Sequence, residues 1–538
     1  MNKKEILLSK AEDAQRVYDY LVEELKIDDL YPTTFIVNEE AEKELKTNYL
    51  KENPFPHVIA FALAKLRKKA VNRLFEEEKV LQTPVIAAVL SLCSNVATSI
   101  GKLRGDQVED THIYSDISYA GLQAIRLYMA NYKGNKAFKK SRMNSAIRVD
   151  NAINGSFYKY KTLDGRYVSF HTYYQSQQEK LVKALSLKKE SKKFNLMSTK
   201  SDIKYLNKVV KEKESYALEE LAFDCGACAC VLRSREEWEN TEVGKAVVNM
   251  PLIRFSETKG EKKDFGKANS RGPLSGIKVL DLTHIIAGPA CSRILAEYGA
   301  DVLLVRRGKF VDQEQAMLEL DGWAGKNSIQ LDFNDPVQLA RVKELIKEAD
   351  VITYSYQNGC MDKFGLSLEE IRKINPNVIY ANLMCFSDSV WKDRPGWAPL
   401  AEDITGLSVR NGSLEHPVNL NGVPLDYIPG FILALGTLLA IEKRIKDGTV
   451  SIVTTSLTKG AMLLHDATDL CSKKEKPSDR TQLSTTPIKE EFVKTRVYVQ
   501  SETLGSIGFP SPATYNTTYH NLKQNMPFTD GKEGFSQE

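Results

Sequence analysis

Apolar positions run almost unbroken through two stretches of this chain, Thr83-Pro-Val-Ile-Ala-Ala-Val-Leu to residue 103 and Pro424-Leu-Asp-Tyr-Ile-Pro-Gly to residue 444. Stretches of that length and character predict long buried helices. Each leads into a polar turn (Arg104-Gly-Asp; Lys446-Asp-Gly), then a short strand (His112-Ile-Tyr; Val450-Ser-Ile-Val). Similarly worded segments follow, Ser115-Asp-Ile-Ser-Tyr-Ala-Gly-Leu and Ser456-Leu-Thr-Lys-Gly-Ala-Met-Leu. The two units stand about 340 residues apart, a spacing that suggests duplicated halves and not a solenoid.

A third pattern covers 276–306. Residues 277–282 read as a buried strand, Ala287-Gly288-Pro289 as a tight turn, the stretch to Tyr298 as an amphipathic helix, and 302–305 as a second buried strand. Pro289 suits a first helical turn and Gly299 a C-cap, which predicts a βαβ unit. The unit lacks the G-x-G-x-x-G that a dinucleotide pyrophosphate needs. Elsewhere, Asp164-Gly-Arg-Tyr-Val-Ser-Phe-His reads as a turn and an alternating strand. Residues 1–75 look helical and highly charged, with a break at Pro54 and Pro56, and 257–271, rich in Lys, Gly and Ser, reads as a linker.

At 538 residues the chain can hold two or three domains, and 42% hydrophobic with 27% charged residues is ordinary for a globular protein. A net charge of +4 gives no reason to expect a nucleic-acid partner, and the lysines within 188–193 read as a solvated face. No secretory leader is apparent at the N-terminus, and the most apolar run, 428–441, is too short to span a bilayer, so a cytoplasmic protein without a membrane partner is expected. Eight irregularly spaced cysteines do not suggest a disulfide framework. Cys225, Cys228 and Cys230 form C-x-x-C-x-C without a fourth ligand at sensible spacing, so buried side chains are expected there and no metal site.

The wording of the βαβ unit is more specific than its architecture. Val279-Leu-Asp-Leu-Thr-His, then Ala287-Gly-Pro-Ala, then Gly299-Ala-Asp-Val closely resemble the opening of class III CoA-transferases, the CaiB/BaiF family. The resemblance covers 274–465 well and 80–260 loosely. Residues around 164–171, 221–238 and 251–256 resemble the family's second domain, and 505–512 a weaker version of its C-terminal strand. The implied fold is α/β: a Rossmann-like parallel-sheet CoA-binding domain plus a second α+β domain, arranged as a class III CoA-transferase pseudo-dimer. The implied divisions are a helical extension at 1–75, a degenerate half lacking the nucleotide domain at 76–260, and a linker at 261–273. A Rossmann-like half follows at 274–465, then a C-terminal linker and tail at 466–538. Such a chain is expected as a monomeric pseudo-dimer or a homodimer.

Candidate chemistry centres on Asp426. At a helix start a carboxylate can serve as an N-cap. The resemblance offers another role, the family's nucleophilic aspartate, which attacks an acyl-CoA thioester. On that reading acyl-CoA and a carboxylic acid acceptor are the partners, with CoA a substrate and no permanently bound cofactor. In the first half the matching position is Val85, so one active site per chain is expected. Arg306 stands at the C-terminal end of the second strand, where α/β sheets place ligands, and is a candidate cation for CoA phosphates. The resemblance adds substrate or CoA contacts at His284, Ile286, Ala287, Tyr356, Lys363 and Trp397. Three departures stand out. Ile286 replaces the glutamine of formyl-CoA transferase-like members, Trp397 replaces the histidine of racemases, and no glycine-rich lid is seen. Racemisation or dehydration would need a second acid/base group, for which Glu402 or Asp403 are available, though they read as exposed turns of a helix. A CoA-binding protein without turnover is the remaining alternative.

Overall fold

A computed structural model describes residues 1–50, 67–129, 131–133, 158–172, 175–187, 200–307, 320–486, 496–501, 505–510, 512–519 and 534–535. Pro54, Pro56 and the lysines within 188–193 lie outside the described residues.

A seven-stranded sheet carries the βαβ unit. Its strands are β1 (Arg254–Lys259), β2 (Lys278–Leu282), β3 (Asp301–Arg307), β4 (Asn327–Leu331), β5 (Val351–Tyr354), β6 (Ile379–Met384) and β7 (Thr449–Ser456), in the order β4-β3-β2-β5-β6-β7-β1. All neighbours are parallel except β1, which runs antiparallel to β7. Val279, Leu280, Leu303, Leu304, Val351 and Ile352 are fully or almost fully buried, as strands covered on both faces require. The order reverses between β2 and β5, where doubly wound sheets open a crevice at their carboxyl ends.

A smaller four-stranded sheet is ordered Thr481–Ser484, Thr33–Ile36, Ile113–Asp116, Thr514–Asn516. The first three strands are parallel and the last is antiparallel to Ile113–Asp116. This repeats the edge of the large sheet, where β1 is antiparallel to β7. Residues 1–75 therefore contribute a strand as well as the helix α1 (Lys3–Leu25), and the C-terminal segment supplies two strands of this sheet. The antiparallel edge position belongs to Thr514–Asn516; Gly505–Pro510 pairs instead with Arg496–Ser501 and Asn131–Lys133.

Between the sheets the predicted apolar helices α2 (Gln82–Leu103) and α5 (Pro424–Asp447) pack together in one hydrophobic core. Both are long and apolar enough to cross a membrane, but their apolar windows are 100% and 89% buried inside the protein. Burial on this scale is that of core helices. Gly448, at φ 82°, ends α5 in a left-handed C-cap. Residues 158–250 form a third unit, an antiparallel sheet of Tyr160–Lys161, Tyr167–Phe170 and Ala229–Val231 with helices packed against it.

The linker starts later than its composition suggests, because 257–259 extend β1. Beyond it, the Arg104 guanidinium donates to the carbonyls of Gly266 (3.0 Å), Pro273 (2.7 Å) and Phe265 (2.8 Å), and Lys263 pairs with Asp350.

Candidate active site

The reversal point of the large sheet opens into a cavity of about 440 Å³. Its floor is the turn after β2, residues 284–286, and the first residues of α3 (Ala287–Glu297), so Ala287-Gly288-Pro289 open the helix and the turn lies just ahead of them. One side is the segment after β5, with Ser355, Tyr356, Gln357, Asn358 and Cys360, and another is the stretch from Leu383 to Ala398. Ser176, Gln177, Lys180 and Gly226 reach it from the 158–250 unit. The His284 and Tyr356 rings stack with centroids 4.3 Å apart and planes 8° from parallel, and the His284 N–H donates to Ser355 Oγ at 3.3 Å. A flat aromatic shelf thus stands where the parallel sheet places ligands.

Asp426 lines the same cavity from the first turn of α5. It is not the N-cap. Val423 holds that position with no side-chain bond, and Asp426 takes part only through its N–H, which donates to the Val423 carbonyl at 3.1 Å. Among the described residues no hydrogen bond or ion pair reaches its carboxyl group, and burial pushes that group up from 3.8 to about 7. One turn later Gly430 packs against the Ala287 carbonyl, where a Cβ would collide. Residues four apart share a helix face, so the face of α5 that carries Asp426 is the face pressed on the start of α3.

A family model described as "CoA-transferase family III" matches residues 274–492. Residues 274–492 are thus similar to CoA-transferase family III. Among curated proteins, an acyl-CoA transferase of Gibberella moniliformis is 32% identical over 253 residues, covering 44% of this chain and 44% of its own length. A formyl-CoA:oxalate CoA-transferase of Rhodopseudomonas palustris is 30% identical over 228 residues, covering 40% of this chain and 52% of its own. Thus the chain spans about half the length of the curated relatives it matches. The crystal structure of Rv3272 from M. tuberculosis is 25% identical, covers 39% of this chain and 62% of its own, and has a TM-score of 0.34.

Within this matched region the cavity brings together six of the eight expected site residues: His284, Ile286, Ala287, Tyr356, Trp397 and Asp426. Arg306 and Lys363 do not line it. The Arg306 guanidinium lies over the Trp323 ring at 5.5 Å, and the exposed Lys363 places its ammonium over Phe364 at 4.8 Å. Ser355 and the four residues from before the linker were not legible as site residues. Ser355 carries no motif of its own, and the others lie at least 50 residues ahead of the βαβ unit with only tertiary packing to connect them.

Glu402 and Asp403 are buried on α4 (Ala398–Ile404), not exposed, and neither lines the cavity. Glu402 accepts from the Leu420 N–H at 2.7 Å and from Asn419 at 2.9 Å; burial, with Asp403 beside it, raises its carboxyl to about 7. Asp403 pairs with Lys159 and accepts from Ser169 Oγ at 2.7 Å. Burial alone would raise it, but Lys159 and His171 hold it well below the usual carboxylate range. His171, Cys230 and Asp403 converge there, with ligand-type atoms within 4.8 Å of one another. Lys159 already supplies the cation at the Asp403 oxygen, and burial pushes the Cys230 thiol well above its usual value, away from the thiolate a metal needs. Cys228 and Cys230 otherwise pack among Phe223, Trp238 and Phe386, and Cys225 is half-buried.

Proposed function

We propose that the chain is an acyl-CoA:carboxylate CoA-transferase in which Asp426 carries the transferred groups. What supports this reading is the Asp426 carboxyl: unpaired among the described residues, facing the cavity at the sheet's reversal point, and tuned by burial to ionise near neutrality. A carboxylate that costs little to protonate or ionise at pH 7, and is not engaged elsewhere, suits nucleophilic attack better than structural pairing.

In the proposed sequence an Asp426 oxygen attacks the thioester carbonyl carbon. The C–S bond breaks, giving a mixed anhydride and CoA thiolate. The thiolate then attacks the aspartyl carbonyl carbon, releasing the donor acid as its carboxylate and leaving an Asp426–CoA thioester. An acceptor carboxylate attacks that thioester, breaking its C–S bond to give an aspartyl–acceptor anhydride and CoA thiolate. The thiolate then attacks the acceptor's acyl carbon and breaks its bond to the Asp426 oxygen, forming the acceptor's CoA thioester and regenerating the Asp426 carboxylate. The His284–Tyr356 shelf would carry the flat part of the CoA, and Trp397 would border the acyl end. Within the chain, 158–250 and the matched region act as the two sides of one site, a pseudo-dimeric arrangement complete in one copy.

The test is peptide mass spectrometry after incubation with a mixed acyl-CoA pool and hydroxylamine. A hydroxamate on Asp426, absent from Asp426→Asn, is the expected result; it carries no part of the donor, so incubations with single acyl-CoAs identify the donor. Acyl-CoA binding without any adduct would instead assign a binding protein, and no binding would overturn the reading.

A further inference from the structure

Between the end of β2 and the first turn of α3 the chain reverses with Ile285 at φ 67°. The left-handed region is unfavourable for a β-branched residue, whose Cβ crowds the backbone there. Among the described residues the other non-glycine positions with positive φ are Lys26, Asp29, Ser186, Ser387 and Lys474, none of them β-branched. Ile285 also lines the cavity. Strain of this kind persists only where the surroundings over-determine the conformation.

One buried ion pair grips the turn on both sides. Upstream, Asp281 Oδ1 accepts from the Thr283 N–H (3.0 Å), Thr283 Oγ1 (2.5 Å) and Thr353 Oγ1 (3.1 Å) on the neighbouring strand. Downstream, Asp281 Oδ2 accepts from Ser292 Oγ at 2.6 Å and Lys326 Nζ at 2.7 Å. Lys326 Nζ also donates to the Pro289 carbonyl (3.1 Å) and Ser292 Oγ (2.7 Å) in α3. Asp281 is 0% exposed and Lys326 1%. Burial alone would raise the Asp281 carboxyl, but Lys326 and these hydrogen bonds hold it below its ordinary value. A hydrophobic pair could fill such a site at no loss of stability, so the charges are best explained by what they hold in place.

We propose that Asp281 and Lys326 are positioning residues that keep Ile285 left-handed and so hold the turn 284–286 against the cavity for the acyl-CoA. This rests on the transferase reading of that cavity, but not on Asp426 being its nucleophile. The test is a double-mutant cycle of Asp281→Asn and Ile285→Gly, read by acetyl-CoA affinity in calorimetry and by kcat and KM. Glycine adopts φ 67° freely, so a variant with glycine there no longer needs the clamp. Asp281→Asn should weaken acetyl-CoA binding by about tenfold, Ile285→Gly alone by about twofold or less, and the double variant should recover to within about threefold of the parent. Additive losses, as in a merely structural role, would overturn the proposal. Should Asp281→Asn not fold, Ser292→Ala removes one bond to the same carboxylate and serves in the same cycle. Amide hydrogen exchange at 283–290 gives a readout without ligand: faster exchange in Asp281→Asn, reversed by Ile285→Gly, supports the clamp even if acetyl-CoA does not bind and the transferase reading fails. Unchanged exchange would sink it.

Discussion

At the scale of single residues the decisive feature is a carboxyl group whose proton is nearly free to leave at pH 7. Burial raises Asp426 to about 7, with no cation beside it among the described residues to reverse the shift. If its carboxylate is the nucleophile, kcat/KM should rise about tenfold per pH unit below 7 and level off above it; a pH profile flat between 5 and 8 would argue against that role. The same shift has a stability consequence of opposite sign. A carboxyl raised above its unfolded value of 3.8 stabilises the fold fully below pH 4, and that contribution is lost as pH rises through about 7. Asp426→Asn should therefore match the parent near pH 4 and exceed its stability at pH 8 by about 1–3 kcal/mol in denaturant titrations, a range discounted for the group's opening to the cavity. The sequence offered two readings of this residue, cap or nucleophile. The cap reading fails on geometry because Pro424 and Leu425 put the side chain two positions inside the helix, beyond the reach of an N-cap. Its environment was not legible, since desolvation depends on which distant segments close over the carboxyl.

At the scale of elements the βαβ unit was the most readable part of the chain. Buried strands on either side of an amphipathic helix leave a strong period, and Pro289 and Gly299 mark the helix ends: α3 runs Ala287–Glu297, and Gly299 has φ 98°. The turn inside that unit was not readable. An isoleucine is among the last residues that local rules would place at positive φ, and the clamp that holds it there draws Lys326 and Thr353 from beyond the unit. Contact between helices was equally hidden. Gly430 reads as a helix-weakening residue until α3 is laid beside it, where only a hydrogen fits against the Ala287 carbonyl. Gly430→Ala should force α3 and α5 apart and cost about 1–3 kcal/mol, although alanine is the better helix former. Calorimetry showing a higher melting temperature for this variant would mean that the contact is looser than described.

At the scale of the whole molecule the duplicated wording of the sequence corresponds to an exchange of strands. β1 comes from before the linker yet completes the large sheet, while Thr514–Asn516 comes from after it and completes the small one. Pairing across long separations leaves no local signal, which is why the C-terminal segment read as a tail. The same crossing appears in the core, where a single hydrophobic cluster includes Leu7, Val85 and Ile125 from one side of the linker and Ile294, Phe431 and Ala513 from the other. Buried Arg126 adds a polar tie, pairing with Asp321 and donating to the Pro510 carbonyl at 2.5 Å. Neither part can satisfy its sheet edge, its apolar face or this ion pair alone, and a buried charge stripped of its partner costs about 3–5 kcal/mol by itself. A protease site inserted in the linker should therefore yield two fragments that stay associated through gel filtration and unfold in one transition. Expressed separately, neither fragment should give a cooperative melt, and co-expression should restore it. Two separate transitions in the cut protein would show that the halves are independent domains, and would remove the basis for reading the cavity as a site that both of them build.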